Sequence, residues 1–183
     1  MTTKYVTMMF VLIFLRNAGE AQVRDFVCNR DESSMEYHLV HPLHKVEATS
    51  HAVEYALQAD PATHQIARVN GHVDVTTFDS GNSNRDSHAM EVIDAISFPE
   101  AKFTSTSIAA RGDSIVVNGT LTFHGITKDI VALAKPQWGE HRLSVQGAFA
   151  VSLTEFGIDR PSLLMIPVED RLSFMFTAVF AWN

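Results

Sequence analysis

Histidine is the residue type in this sequence that most readily suggests chemistry, because nine are present and three of them are closely spaced. His38, His41 and His44 recur every third residue, while His88 and His124 lie elsewhere. A zinc site needs three or four converging donors. On a strand alternate residues share a face, so His38 and His44 could lie together while His41 points away. We therefore predict structural or surface histidines, with no metal site and no cofactor. A metal protein or enzyme that uses the histidine set is the alternative.

A second group of polar residues, Arg85, Asp86 and His88, begins a short helical pattern. The planar guanidinium of Arg85 suits a pyrophosphate or carboxylate, so Arg85 and His88 are candidate contacts for the head group of a ligand. In the structural interpretation, Asp86 caps the helix and the other two side chains bond backbone carbonyls. The residues alone leave both interpretations open.

Nucleophilic catalysis has little support in the sequence. No G-x-S-x-G elbow is present, since the segment 81–85 (GNSNR) lacks the final glycine. Glu169 and Asp170 are adjacent on a predicted strand, where neighbours point to opposite faces. We predict that the protein is not an enzyme.

Length and charge limit the classes of partner. The 183 residues suit one domain, and the 14 basic and 21 acidic residues give a net charge of -7 with no Lys/Arg cluster. This balance excludes a nucleic-acid partner, because such proteins neutralise phosphates with clustered positive charge. The sequence leaves homodimerisation open.

The N-terminus resembles an export signal. Lys4 precedes the apolar run Val6–Leu15, and Gly19-Glu20-Ala21 places small residues at a cleavage site, so residues 1–21 are predicted to be a signal peptide. The run is shorter than the about 20 residues of a transmembrane helix, so no stable membrane insertion is expected. A periplasmic or secreted location follows. Residues 22–34 are predicted to form a flexible linker that carries the only cysteine, Cys28, as an inert thiol.

From Met35 onward the pattern is mainly that of strands, and residues 35–183 are predicted to form one domain. The predicted strands are 35–41, 51–58, 64–78, 101–109, 114–124, 127–135, 142–153 and 169–181. A short helix is predicted over Ser83 to Ala95. The loop 154–168 is unusually apolar, so we expect it to fold over an opening or to line it. Antiparallel strands at these intervals favour a sandwich or an up-and-down barrel.

The predicted strands suggest which side chains face inward. In the last strand Phe174 and Phe176 share one face, and the opposite face is small and only partly polar. The chain holds 12 Phe, which could either fill a core or line a cavity for an apolar ligand. The candidate lining residues are Phe103, Leu121, Phe123, Phe149, Val151, Phe174 and Phe176.

Several segments, taken together, resemble a known family. They are Ser83–His88, Phe98–Thr106, Val117–Lys128, Phe156–Ile158 and Val168–Leu172, in this order along the chain. The combination is similar to that of YceI-like proteins over roughly residues 72–183. The N-terminal third diverges, since the segment 41–48 (HPLHKVEA) stands where the family usually has its opening strand.

The resemblance implies an all-β fold, an eight-stranded antiparallel lipocalin-like barrel with one short helix after the third or fourth strand. It also implies an exported binding protein that holds a polyisoprenoid or other long-chain lipid inside the barrel, without catalysis. A ligand-free stress-response interaction module is a further alternative, and it would require a packed interior.

Overall fold

A computed structural model of the protein describes residues 22–182. The predicted signal peptide, residues 1–21, lies outside the described residues. The described part is all-β with one α-helix, α1 (Ser83–Val92). The strands are β1 (Arg24–Val27), β2 (Ser34–His41), β3 (His44–Ser50), β4 (Val53–Asp60), β5 (Gln65–Asp74), β6 (Glu100–Arg111), β7 (Ser114–Phe123), β8 (Ile126–Trp138), β9 (Arg142–Ser152), β10 (Ser162–Leu163), β11 (Ile166–Pro167) and β12 (Arg171–Ala181).

Ten of these strands form one antiparallel sheet, in the order β1-β4-β5-β6-β7-β8-β9-β12-β2-β3. The sheet curls around a common interior, because buried residues of β4 and β5 pack against those of β9 and β12 in one cluster. The chain after β1 connects the two sides: the amide of Cys28 donates to the carbonyl of Tyr55 at 2.8 Å, and the amide of Asn29 donates to that of Val179 at 2.7 Å.

The prediction that residues 22–34 form a flexible linker is therefore wrong. Arg24–Val27 form a strand paired with β4, and Cys28 is buried instead of lying in a flexible leader. Ser33 is also fully buried, and its hydroxyl accepts the amide of Val179 at 3.1 Å. This segment has few apolar residues, so its role depends on backbone hydrogen bonds that periodicity does not reveal.

The predicted number of eight strands is also wrong, because the main sheet has ten. The eight predicted strands correspond to β2, β4 to β9 and β12, and the two strands of the main sheet that were missed are β1 and β3. The helix begins at Ser83, as predicted, but ends at Val92 and follows the fifth strand. Its cap is Asn82, not Asp86, since the Asn82 side chain accepts the amides of Asn84 and Arg85.

The alternation of side chains along β8 shows which of its residues face the interior. In β8 Ala132 and Ala134 are buried, whereas Val131 and Leu133 are exposed on the outer face. Small residues facing inward on this strand leave space that large residues would fill.

Candidate ligand-binding cavity

The interior of the curled sheet contains a cavity of about 410 Å³. This volume is within the range of sites for small organic ligands. Its wall comes from every long strand of the sheet and is almost entirely aliphatic and aromatic. The aromatic side chains that line it are Tyr37, Tyr55, Phe78, Phe103, Phe123, Phe149, Phe174, Phe176 and Phe180. Such a wall can hold a hydrocarbon but offers few partners to a polar molecule.

Six of the seven wall residues suggested by the sequence line this cavity. They are Phe103 on β6, Leu121 and Phe123 on β7, Phe149 on β9, and Phe174 and Phe176 on β12. The rings of Phe149 and Phe174 stack with centroids 4.9 Å apart. Val151 does not reach the cavity; it pairs with Leu172 across the sheet and is buried in the packed cluster at one end.

Two glycines determine how the aromatic rings lie on the wall. A side chain at Gly119 would overlap the ring of Phe103, and one at Gly147 would overlap the ring of Phe176. Each ring therefore lies across the backbone of a neighbouring strand. This close approach keeps the two rings against the wall, because nothing stands between them and the sheet.

The part of the wall that comes from β2, β4 and β5 was not among the predicted residues. Met35, Tyr37 and Leu39 alternate along β2 and all line the cavity. This period of two was visible in the sequence and would have been a sufficient signal. Tyr55 on β4 lies deeper, and its hydroxyl donates to the carbonyl of Ser34 at 3.3 Å. Burial raises the pKa of Tyr55 well above its ordinary value, so this part of the wall is uncharged.

One side of the cavity mouth is formed by α1, none of whose residues is buried. Arg85, Asp86 and His88 all line the cavity here. Arg85 is held in place by Ser80, because its Nε donates to the hydroxyl at 2.8 Å and its Nη2 to the carbonyl at 2.6 Å. The Ser80 amide and hydroxyl both donate to Asp86. Within residues 22–182 His88 bonds no backbone carbonyl, and its Nδ1 lies 3.7 Å from Glu91 Oε2.

Tyr37 shows that the charges of this helix act on the interior. Burial raises the pKa of Tyr37, the negative charge of Asp86 raises it further, and the positive charge of Arg85 lowers it. The adjacent opposite charges thus partly compensate at the mouth.

The other side of the mouth is formed by the loop 154–168 and the turn between β2 and β3. Pro161, Ser162 and Leu163 line the cavity, as the prediction for this loop required. His41 is buried and joins the two segments. Its Nδ1 accepts the amide of Leu43 at 3.1 Å, so Nε2 carries the proton and donates to the carbonyl of Ile166 at 2.9 Å.

Asp170 fixes the start of the same loop. The Ser152 hydroxyl, the Thr154 amide and the Thr154 hydroxyl all donate to this carboxylate. These bonds lower the pKa of Asp170, and the bond from Ser152 has the largest effect. A carboxyl whose pKa is lower in the folded state stabilises the fold above its unfolded pKa of about 3.9, and this contribution is lost as the pH falls through the folded value.

We therefore expect Asp170→Asn to lower the Tm at pH 7, because the amide is a weaker acceptor than the carboxylate. The difference from wild type should narrow as the pH falls below about 4, where the wild-type carboxyl also becomes neutral. Calorimetry over this pH range measures both effects. Asp129→Asn, on the exposed outer face of β8, is the control that should leave Tm unchanged. A difference that is constant with pH would contradict the role of the charge.

The closely spaced histidines do not converge. The rings of His41 and His44 lie at the mouth with centroids 5.0 Å apart and planes tilted by 33°. His38 lies on the outer face, between Glu47 and Glu36. Its Nδ1 lies 3.1 Å from Oε1 of Glu47. Its Nε2 lies 3.0 Å from Oε1 of Glu36, but that contact does not have the geometry of a hydrogen bond. The ligand atoms of these three residues lie within 4.8 Å of one another. This group therefore contains only one of the three closely spaced histidines.

Comparison with known proteins places this geometry in a family. The YceI-like domain profile matches residues 26–180, which include all ten strands of the sheet except the first two residues of β1 and the last of β12. The chain belongs to the YceI-like family. The resemblance found in the sequence is thereby confirmed, and the match extends through the N-terminal third.

The YceI-like relatives include a UPF0312 protein of Pseudomonas savastanoi pv. phaseolicola, 28% identical over 172 residues, which cover 87% of this chain and 90% of the relative. Protein YceI of Salmonella newport is 31% identical over 99 residues, which cover 50% of this chain and 52% of that protein.

Solved structures show the same fold. BcnA of Burkholderia cenocepacia superposes with a TM-score of 0.75 at 20% identity, over 83% of this chain and 98% of that one. A polyisoprenoid binding domain of Saccharophagus degradans superposes with a TM-score of 0.65 at 10% identity, over 88% and 100% of the two chains.

Proposed function

We propose that this YceI-like protein binds a long-chain apolar ligand, a polyisoprenoid or similar lipid, inside the cavity of its curled sheet. The aliphatic and aromatic wall around about 410 Å³ carries the proposal. Each methylene group transferred from water to such a wall contributes about 0.8 kcal/mol. The printed description of the Saccharophagus degradans domain as polyisoprenoid binding supports the same ligand class.

The mouth suits the polar end of such a ligand. Arg85 offers a guanidinium beside the cavity, and the exposed imidazole of His88 lies one helical turn away. We propose that these two side chains face the head group, while Phe103, Phe149 and Phe176 contact the chain of the ligand.

The site supports binding without catalysis. Along the described wall the deep side chains are hydrocarbon or, as at Tyr55, neutral phenol. A nucleophile would need an adjacent base that activates it. Arg85 and Asp86 at the mouth are instead engaged with Ser80. Export to the periplasm, through removal of residues 1–21, belongs to the same proposal.

Extraction of the purified protein tests the ligand. We expect organic solvent to release a long-chain lipid in close to equimolar amount, identified by mass spectrometry. The delipidated protein should then bind a long polyprenol more tightly than a short one, because affinity rises with the number of buried methylenes. Protein that yields no lipid and binds neither prenol would refute the proposal. Such a result would favour the ligand-free interaction module.

A further inference from the structure

Large apolar side chains project into solvent from two hairpins at the cavity mouth. We call this group the apolar tip; its members are Leu43, Leu163, Leu164, Met165 and Ile166. Leu164 is 74% exposed and Met165 is 95% exposed, so neither is used to pack the fold. Surface leucines are common singly, but five adjacent to one opening form a patch that indicates an interaction site.

The conformation of the hairpin between β10 and β11 holds these side chains outward. Leu163 pairs with Ile166, and the two residues between them, Leu164 and Met165, both have positive φ angles, 53° and 65°. Such two-residue turns normally carry Asn or Gly, which tolerate this conformation. At these two positions Leu and Met are unfavourable in water for two reasons: their side chains disfavour a positive φ angle, and their apolar surface is exposed.

The two hairpins of the apolar tip form one surface continuous with the cavity. The hydrogen bond from His41 to the carbonyl of Ile166 joins the turn of Leu43 to the second hairpin. His41, His44 and Leu163 also line the cavity. A molecule that contacts the tip therefore meets the mouth at the same time.

The chemistry of the tip defines its partner. Residues 41–44 and 161–167 contain no Asp, Glu, Lys or Arg, although the chain carries a net charge of -7. A protein partner of ordinary affinity contacts about 20–30 residues on each side and adds a polar rim, which five aliphatic side chains do not provide. The interfacial region of a bilayer accepts a few such side chains without specific partners.

We propose that the apolar tip inserts into the surface of a neutral lipid bilayer, so that the cavity mouth opens toward the acyl chains. This inference rests on the proposed function, since a lipid ligand is drawn from or returned to such a surface. It adds that the protein contacts the bilayer directly during the exchange.

Flotation with phosphatidylcholine vesicles tests the inference on the full chain. The variant Leu164→Ser/Met165→Ser is compared with wild type and with Val131→Ser/Leu133→Ser, whose residues are exposed on the outer face of β8. Residues 1–21 are the same in all three proteins, so their contribution cancels. We expect the tip variant to partition at least about tenfold less than wild type, because two apolar side chains no longer insert. The β8 variant should partition as wild type does.

A site-specific label locates the contact. An environment-sensitive dye on Met165→Cys should shift to shorter wavelength when vesicles are added, whereas the same dye on Val131→Cys should not. The native Cys28 is buried and does not compete for the dye. Equal partition of the tip and β8 variants, or an unshifted dye at position 165, would overturn the inference.

The outcomes separate this inference from the proposed function. Lipid that co-purifies with a protein whose tip makes no contact with vesicles would overturn the inference and leave the proposed function standing. Vesicle contact through the tip, by a protein that yields no lipid and binds neither prenol, would refute the proposed function alone. The third outcome concerns sedimentation without vesicles. If the wild type sediments as a dimer and the tip variant as a monomer, the tip is a surface for a second copy, and the inference is overturned.

Discussion

Replacing Ala132 by Trp should leave the protein almost without bound lipid. Ala132 is buried on β8, lines the cavity and pairs with Val117 on β7. The register of β8 between β7 and β9 keeps the side chain at this position inward, because a slip of one residue would reverse every side chain of the strand. The indole must therefore occupy the space that the ligand needs. We expect the lipid recovered per protein to fall at least about tenfold. The ligand would lose the burial of a few methylene groups, and this costs more binding free energy than the about 1.4 kcal/mol that corresponds to a tenfold change in affinity.

The neighbouring residue provides the matched control. Val131 is 58% exposed on the outer face of the same strand, so Val131→Trp adds an indole without entering the cavity. Its lipid content should equal that of wild type. Equal lipid in Ala132→Trp and Val131→Trp would show that the ligand does not lie in the cavity.

The same pair of variants reports whether the interior is hollow. Added side-chain volume in a filled core costs typically about 1–3 kcal/mol. In the delipidated state we expect Ala132→Trp to keep a free energy of unfolding within about 1 kcal/mol of wild type, because the cavity accepts the ring. Urea denaturation of both delipidated proteins measures this difference.

The strands were predictable where one face is continuously apolar, and this determined most of the fold. Leu143, Val145 and Val151 on β9 are buried, as their alternation requires. β3 was missed because two of its inward residues are small: Ala48 and Ser50 are buried there, and neither gives a strong hydrophobic signal. β1 has four residues and depends on its pairing with β4. Long-range hydrogen bonds of this kind leave no local pattern in the sequence.

The residues of the cavity were predictable, but the existence of the cavity was not. Alternation places Phe103 and Phe176 inward whether the interior is filled or hollow. The difference depends on Gly119 and Gly147, which let these rings lie against the sheet. It also depends on the small inward residue Ala132 of β8, the strand between β7 and β9. Packing across strands decides this, and the family resemblance supplied what the pattern left open. At the mouth, the cap at Asn82 depends on an extended backbone (φ -143°, ψ 103°), which composition alone could not assign.

Phe156→Ala should be the most destabilising single truncation at the mouth of the cavity. Phe156 is 1% exposed, and its ring centroid lies 5.7 Å from that of Phe123. It follows β9 at the base of the loop 154–168, and its carbonyl oxygen lies 2.8 Å from Nδ1 of His124. Loss of the ring leaves a void between Phe123 and Ile158, both of which belong to the same buried cluster. We expect the free energy of unfolding to fall by about 3–5 kcal/mol in urea denaturation.

Met165→Ala in the same loop is the control for Phe156→Ala. Its side chain is 95% exposed, so without vesicles the free energy of unfolding should stay within about 0.5 kcal/mol of wild type. If Phe156→Ala lowers the free energy of unfolding as little as Met165→Ala does, the base of the loop is not packed against β7. The mouth would then lack the fixed support that Phe156 gives to the loop bearing Leu163 and the apolar tip. A loss of the expected size would instead show that the base of this loop is packed against β7 beneath the exposed apolar tip.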